Sequence, residues 1–215
     1  MVYRAFIFDL DGTLLDTLPD LVRLTNMVLD LRGWPERSRE QILSYVGNGG
    51  RSLLSKAAPP STSDEEIDAA FAQWRELYPE HGHALTKPYA GMPEALAELK
   101  GRGIKLGVLS NKFDGAVRQV IAEHFPGVFD IARGECADIP RKPDPRGLQY
   151  MMGQLGVGPE EVVYVGDSPS DMVVASNADV FGVGVSWGYR MADDLWAAGA
   201  RVVVDRPMEL AGLKV

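Results

Sequence analysis

The stretch FIFDLDGTLLDT, residues 6–17, decides the fold. Phe6, Ile7 and Phe8 form an unbroken apolar run, the pattern of a strand covered on both faces. Two aspartates, Asp9 and Asp11, then flank a single leucine. Aspartate is depleted in strands because its carboxylate favours water or a turn. Asp11-Gly12 between apolar runs is a hairpin signal. A half-exposed hairpin would alternate apolar and polar residues, and FIF does not. The run therefore reads as a buried strand that ends on two carboxylates.

The rest of the chain supports a parallel sheet. IKLGVLS (104–110), VVYVGD (162–167), FGVGVS (181–186) and RVVVD (201–205) are short β-branched runs, and VFDIA (128–132) is a weaker one. Helical patterns lie between them: PEALAELK before Gly101, AVRQVIAEHF after Asp114 as the expected N-cap, LQYMMGQLG after KPDP, and DMVVASNA after SPS. This alternation implies βαβ units. Residues 16–86 break it. DLVRLTNMVLDLRG, REQILSYVGNG and DEEIDAAFAQWRELYPE carry helical spacing, with breaks at 33–35, 47–50 and 57–63. A connection of about 70 residues is too long for a loop inside one compact domain. The expected architecture is α/β: a Rossmann-like parallel sheet core, residues 1–15 and 87–215, with an inserted α-helical domain at 16–86.

Composition narrows the function. Of 215 residues 46% are hydrophobic and 24% charged, an ordinary globular balance. A net charge of −8 argues against a nucleic-acid surface, which rests on many lysine and arginine contacts to phosphate. The single cysteine, Cys136, excludes an intrachain disulfide and suits a reducing compartment. No apolar run approaches the ~20 residues that span a bilayer, and Asp9 interrupts the early apolar stretch before it reaches signal-peptide length. A cytoplasmic protein without nucleic-acid or membrane partners is expected.

Ligands of open parallel sheets gather at the carboxyl ends of the strands. There stand Asp9 and Asp11, then Ser110 and Asn111, then Asp167, Ser168 and Asp171, with Lys142 after the weak strand. Singly, each reads as a cap, turn or solvated residue; together they define a site. Four carboxylates against one lysine leave a net charge of −3, which repels itself and calls for a hard cation. Oxygen donors without histidine or cysteine point to Mg²⁺, not zinc. His81, His83 and His124 lie outside the set and read as surface or structural, with His81-Gly-His83 a candidate for a site entrance. Ser110, Asn111, Lys142 and the backbone around Gly12 suit a phosphoryl group, and Asp9 suits attack on phosphorus.

DLDGTLLDT, VLSNK, RKPDP and VGDSPSD together closely resemble the four motifs of the haloacid dehalogenase superfamily, and the helical insert resembles its helical-cap subclass. The resemblance covers essentially the whole chain. It implies Asp9 as nucleophile and metal ligand, and Asp11 as general acid/base with its backbone carbonyl on the metal. It implies Ser110 and Lys142 on the phosphoryl group, Asp167 on the metal, and Asp171 on it through water or in support. Dehalogenase members lack the second aspartate, so the presence of Asp11 argues against dehalogenation. YVGNGGRSLL (45–54), KPYAGMPEAL (87–96) and SNK (110–112) look like phosphoglycolate phosphatases. On that likeness Asn48, Gly49 and Arg51 of the cap are expected to read the substrate, with Arg51 pairing with its carboxylate; the plainer reading is an interhelical turn.

The expected function is Mg²⁺-dependent hydrolysis of a small phosphomonoester, 2-phosphoglycolate first, by a monomer or homodimer. The rivals are a β-phosphoglucomutase-like mutase, a broad-range sugar-phosphate phosphatase and a non-catalytic phospholigand-binding regulatory protein.

Overall fold

The computed structural model describes residues 3–213, so residues 1–2 and 214–215 of the expected core lie outside the described residues. The chain divides into two compact units, one running through Asp16 and resuming at Pro88, the other Thr17–Lys87.

The first unit holds β1 (Ala5–Phe8) and β2 (Leu15–Asp16). The chain returns to it at Pro88, the second residue of β3 (Lys87–Pro88), and continues with α5 (Met92–Gly101), β4 (Lys105–Phe113), α6 (Asp114–His124), β5 (Ile131–Glu135) and α7 (Arg146–Leu155). A 3₁₀ turn (Pro159–Glu161), β6 (Val162–Gly166), α8 (Pro169–Asn177), β7 (Phe181–Val185), α9 (Ala192–Ala197), β8 (Val202–Val204) and α10 (Met208–Ala211) complete it. Six strands form one sheet in the order β5-β4-β1-β6-β7-β8, with parallel pairing. The α/β fold expected from the alternation is the one observed.

All four residues of β1 are buried, as an apolar run in a sheet covered on both faces requires. Ala5 and Ile7 join Leu148, Met151 and Leu155 of α7, Tyr164 of β6 and Val174 of α8 in one core layer. Phe8 meets Phe129 edge-on in the other, with centroids 6.2 Å apart.

Register does the rest. Phe8 stands level with Val108 of β4 and with Val165 of β6. The residues that follow these three strands therefore emerge together at one sheet edge. β1 is also where strand order reverses, with β4 and β5 on one side and β6, β7 and β8 on the other. Such a switch point is where open α/β sheets bind ligands.

Some local expectations shift. The weak strand expected at 128–132 forms at Ile131–Glu135. Asp114 is not an N-cap: it is the first residue of α6, and its carboxylate accepts from Gly134 N and Arg118 Nε. β4 runs on through Phe113, past the expected end at 110.

The second unit is helical: α1 (Leu18–Leu31), α2 (Arg39–Tyr45), α3 (Gly49–Ala57) and α4 (Asp64–His81). α1 buries Leu18, Leu21, Leu24, Thr25, Val28 and Leu29, the spacing of one helical face. Capping boxes open α2 at Ser38 and Gln41, and α4 at Ser63 and Glu66. Buried Asp20 accepts from Leu85 N and Thr86 Oγ1, both at 2.8 Å, and so ties the two ends of this unit together. Among the described residues no helix is long and apolar enough to cross a membrane.

Candidate active site

The site lies at the sheet edge that the register defines. Asp9 follows β1, and its N–H donates to Val165 O at 2.8 Å, so the first carboxylate is fixed to the neighbouring strand. Lys142 Nζ lies 2.7 Å from Asp9 Oδ1, 2.7 Å from Asp171 Oδ1 and 3.0 Å from the Tyr164 hydroxyl. Asp171 and the Tyr164 hydroxyl accept hydrogen bonds from the ammonium. The contact to Asp9 is an ion pair without hydrogen-bond alignment, and Oδ1 has no other partner. Burial works against the charge on Lys142, but Asp171 and Asp9 outweigh it and hold its pKa well above the usual lysine range.

Asp167 leaves the end of β6. Its Oδ1 accepts from Thr13 Oγ1 at 3.0 Å, and its Oδ2 from Tyr189 N at 2.8 Å. Two glycines permit this. Gly12 has a φ of +87°, and a Cβ there would lie 2.3 Å from Asp167 Oδ2; a Cβ on Gly188 would lie 2.2 Å from Asp167 Cβ. Asp171, fully buried in α8, accepts at Oδ2 from Ser168 N and Oγ, and at Oδ1 from Lys142 Nζ and the Tyr164 hydroxyl. Its surroundings thus already occupy both of its oxygens.

Asp9, Asp167 and Asp171 each present a carboxylate oxygen within 4.8 Å of the others, and all three are buried. Burial, above all, raises the pKa of Asp9 to about 7. Burial, then Asp9 and Asp171, raises that of Asp167 to about 8. Hard oxygen donors held together with uncompensated charge fit a divalent cation such as Mg²⁺.

The remaining expected residues fall into two groups. Ser110 is buried beside Asn111, and its Oγ accepts from Lys112 N at 3.3 Å. The Asn111 amide clamps the backbone of Lys142, accepting from its N–H at 2.7 Å and donating to its carbonyl at 3.2 Å. Gly12 N–H donates to Leu15 O at 2.9 Å. These residues, with Asp9, Asp11, Lys142, Asp167 and Asp171, belong to the sheet unit, whereas Asn48, Gly49 and Arg51 belong to the helical unit. There Asn48 and Gly49 open α3, and Arg51 pairs with Asp64 and Asp68. His81 contacts Arg23, and His83 contacts Pro79 O, in that same unit.

Sequence reasoning missed Lys112. Its Nζ lies 3.0 Å from Asp11 Oδ1, which brings the charge of the site from −3 to −2. The signal was present: Ser110 and Lys112 stand two positions apart, the spacing that sends both side chains to one face of an extended strand. Tyr164 and the Gly188-Tyr189 turn were missed as well; the first reads as an ordinary core residue, and the second joins the site only through the fold.

The description "haloacid dehalogenase-like hydrolase" matches residues 6–185 of the chain. A phosphoglycolate phosphatase of Vibrio parahaemolyticus is 34% identical over 96% of this chain and 94% of its own length. An N-acetylmuramic acid 6-phosphate phosphatase of Pseudomonas aeruginosa is 33% identical over 98% of this chain and 94% of its own. The crystal structure of a predicted phosphoglycolate phosphatase from Haemophilus somnus superposes with a TM-score of 0.90 at 26% identity, covering 98% of this chain and 97% of that one. The chain belongs to the haloacid dehalogenase-like hydrolase family.

Proposed function

We propose that the protein is a cytoplasmic, Mg²⁺-dependent phosphatase of a small phosphomonoester, with 2-phosphoglycolate as the first candidate. The observation that carries this reading is the pairing of Asp9 with Lys142 at 2.7 Å, beside Asp167 and Asp171. A non-catalytic phospholigand binder would have no use for a nucleophile next to a proton donor. Relatives named for phosphoglycolate and for N-acetylmuramic acid 6-phosphate support a small phosphomonoester as substrate.

In the proposed reaction an Asp9 carboxylate oxygen forms a bond to phosphorus as the bond to the leaving oxygen breaks. That oxygen departs with the electron pair and takes a proton from Asp11. Water then attacks the phosphorus of the phosphoaspartate, and Asp11 accepts its proton. The Asp9–phosphorus bond breaks, which releases inorganic phosphate and restores the carboxylate. Lys142 is positioned by Tyr164, Asp171 and Asn111 to neutralise Asp9 and the phosphoryl oxygens. Ser110 contributes a hydroxyl to the same group, and the turn at Gly12 brings Asp11 into place. Asp9 and Asp167 would hold the cation with the Asp11 carbonyl, and Asp171 would support the site from behind. When bound, the cation supplies positive charge against the phosphoryl oxygens. Asn48, Gly49 and Arg51 are assigned the rest of the substrate.

Phosphate release over a panel of phosphomonoesters, with Mg²⁺ and with EDTA, tests the proposal. Release from 2-phosphoglycolate that needs the cation is expected. Isomerisation of a sugar phosphate without phosphate release would replace the reading with a mutase.

A further inference from the structure

Lys112 has no part in the motif-based assignment of this site. It is the second-to-last residue of β4, a strand that persists three residues beyond Ser110. Its side chain is 4% exposed, that of Asp11 is 15% exposed, and they meet at 3.0 Å across 101 positions of sequence. An ammonium is rarely buried without a partner that needs it. Here the partner is the proton donor of the proposed reaction.

We infer that Lys112 is the positioning residue of Asp11. A carboxyl group acts as acid and base only through the oxygen that faces the reacting atoms. The Asp11 side chain follows a buried strand by three residues and precedes a glycine of positive φ, so its backbone alone leaves its χ angles open. The lysine engages Oδ1 and so sets the orientation of the whole carboxyl group. Ser110, on the same strand, ties the Lys112 backbone through its hydroxyl, so the phosphate-binding residue and the anchor of the acid are set by one element. Holding a catalytic group in reacting geometry accounts for a large share of enzymatic rate.

This inference rests on the phosphatase reading, and the wild-type protein on the same substrates tests that reading separately. The experiment is single-turnover release of the leaving group from 2-phosphoglycolate, ethyl phosphate and p-nitrophenyl phosphate. Lys112→Met keeps the apolar stem and removes the charge. Phosphoryl transfer from the two alkyl esters should slow about 100-fold, within the ~10²–10⁴-fold that general acid–base catalysis contributes. The aryl ester, whose phenolate leaves without help, should slow less than about 5-fold. In an Asp11→Asn background Lys112→Met should add no further loss, because the group it positions is already gone. Lys112→Arg should restore part of the rate, and it serves with the double variant if Lys112→Met alone fails to fold. Equal losses on all three esters, no loss on any, or losses that add to those of Asp11→Asn would overturn the inference. A loss confined to 2-phosphoglycolate would overturn it too, by making Lys112 a contact for the leaving group's carboxylate.

Discussion

The backbone N–H of Tyr189 donates to Asp167 Oδ2 at 2.8 Å, so the turn after β7 grips a carboxylate from the end of β6. The approach needs the absence of a side chain at Gly188, where a Cβ would fall 2.2 Å from Asp167 Cβ. Gly188→Ala should therefore displace Asp167 and weaken cation binding by about 10-fold, in line with the ~10–100-fold effect of groups that orient metal ligands. Mn²⁺ binding followed by electron paramagnetic resonance reads this without turnover. An unchanged affinity would detach the turn from the cation site.

The buried carboxylates also set a pH signature in metal-free protein. Asp9 and Asp167 have folded-state pKa values raised to about 7 and about 8, from a usual value of 3.8. A group whose pKa is raised on folding contributes stability that is full below its unfolded value and lost as pH climbs through its folded value. In EDTA the wild type should lose stability relative to Asp167→Asn between about pH 4 and about pH 8. Added Mg²⁺ should restore more at the upper end, by about 2.7 kcal/mol at a hundred times its Kd. Melting temperatures of the two proteins across that range check both statements. Parallel curves in EDTA would remove Asp167 from the cause.

How much of this was legible in the sequence follows from the range of each signal. The parallel sheet was readable because β1, β6 and β7 are short apolar runs followed by polar residues, a local pattern. The end of β4 was not, because Asn111 and Lys112 are poor strand formers in an irregular stretch of the β4–β5 pairing, where the Lys142 loop holds Asn111. The Asp114 cap was misread because its partner, Gly134 N, is twenty residues away. Asp11 and Lys112 stand 101 positions apart, and only the register of β1 with β4 makes them neighbours.

Tyr164→Phe removes the hydroxyl that meets Lys142 at 3.0 Å and donates to Leu109 O at 3.0 Å. Both groups are buried, and a buried group left without a partner costs about 1–3 kcal/mol. The variant should lose stability in that range, with kcat falling further than KM rises as Lys142 is no longer held. Denaturant melts and initial rates measure the two effects. A change in KM alone would contradict the positioning of Lys142.

Arg51→Ala tests the assignment in the helical unit. The guanidinium is paired with Asp64 and Asp68, so a substrate carboxylate would have to compete with two carboxylates. If it does, KM for 2-phosphoglycolate should rise more than KM for p-nitrophenyl phosphate, by roughly 10-fold for the loss of one charge-assisted contact. Equal factors on both substrates would leave Arg51 as a brace between α3 and α4.

The central claim is that Asp9 becomes a phosphoaspartate, and one trapping measurement addresses it directly. Asp11→Asn should slow the second half of the reaction and let the acyl phosphate accumulate. Enzyme mixed with p-nitrophenyl phosphate and Mg²⁺, then quenched with borohydride, should carry homoserine at position 9 in the peptide spanning residues 6–17, along with a burst of p-nitrophenol. Recovery of that peptide with Asp9 unmodified, with reduction at another acidic residue or with no burst, would contradict the account.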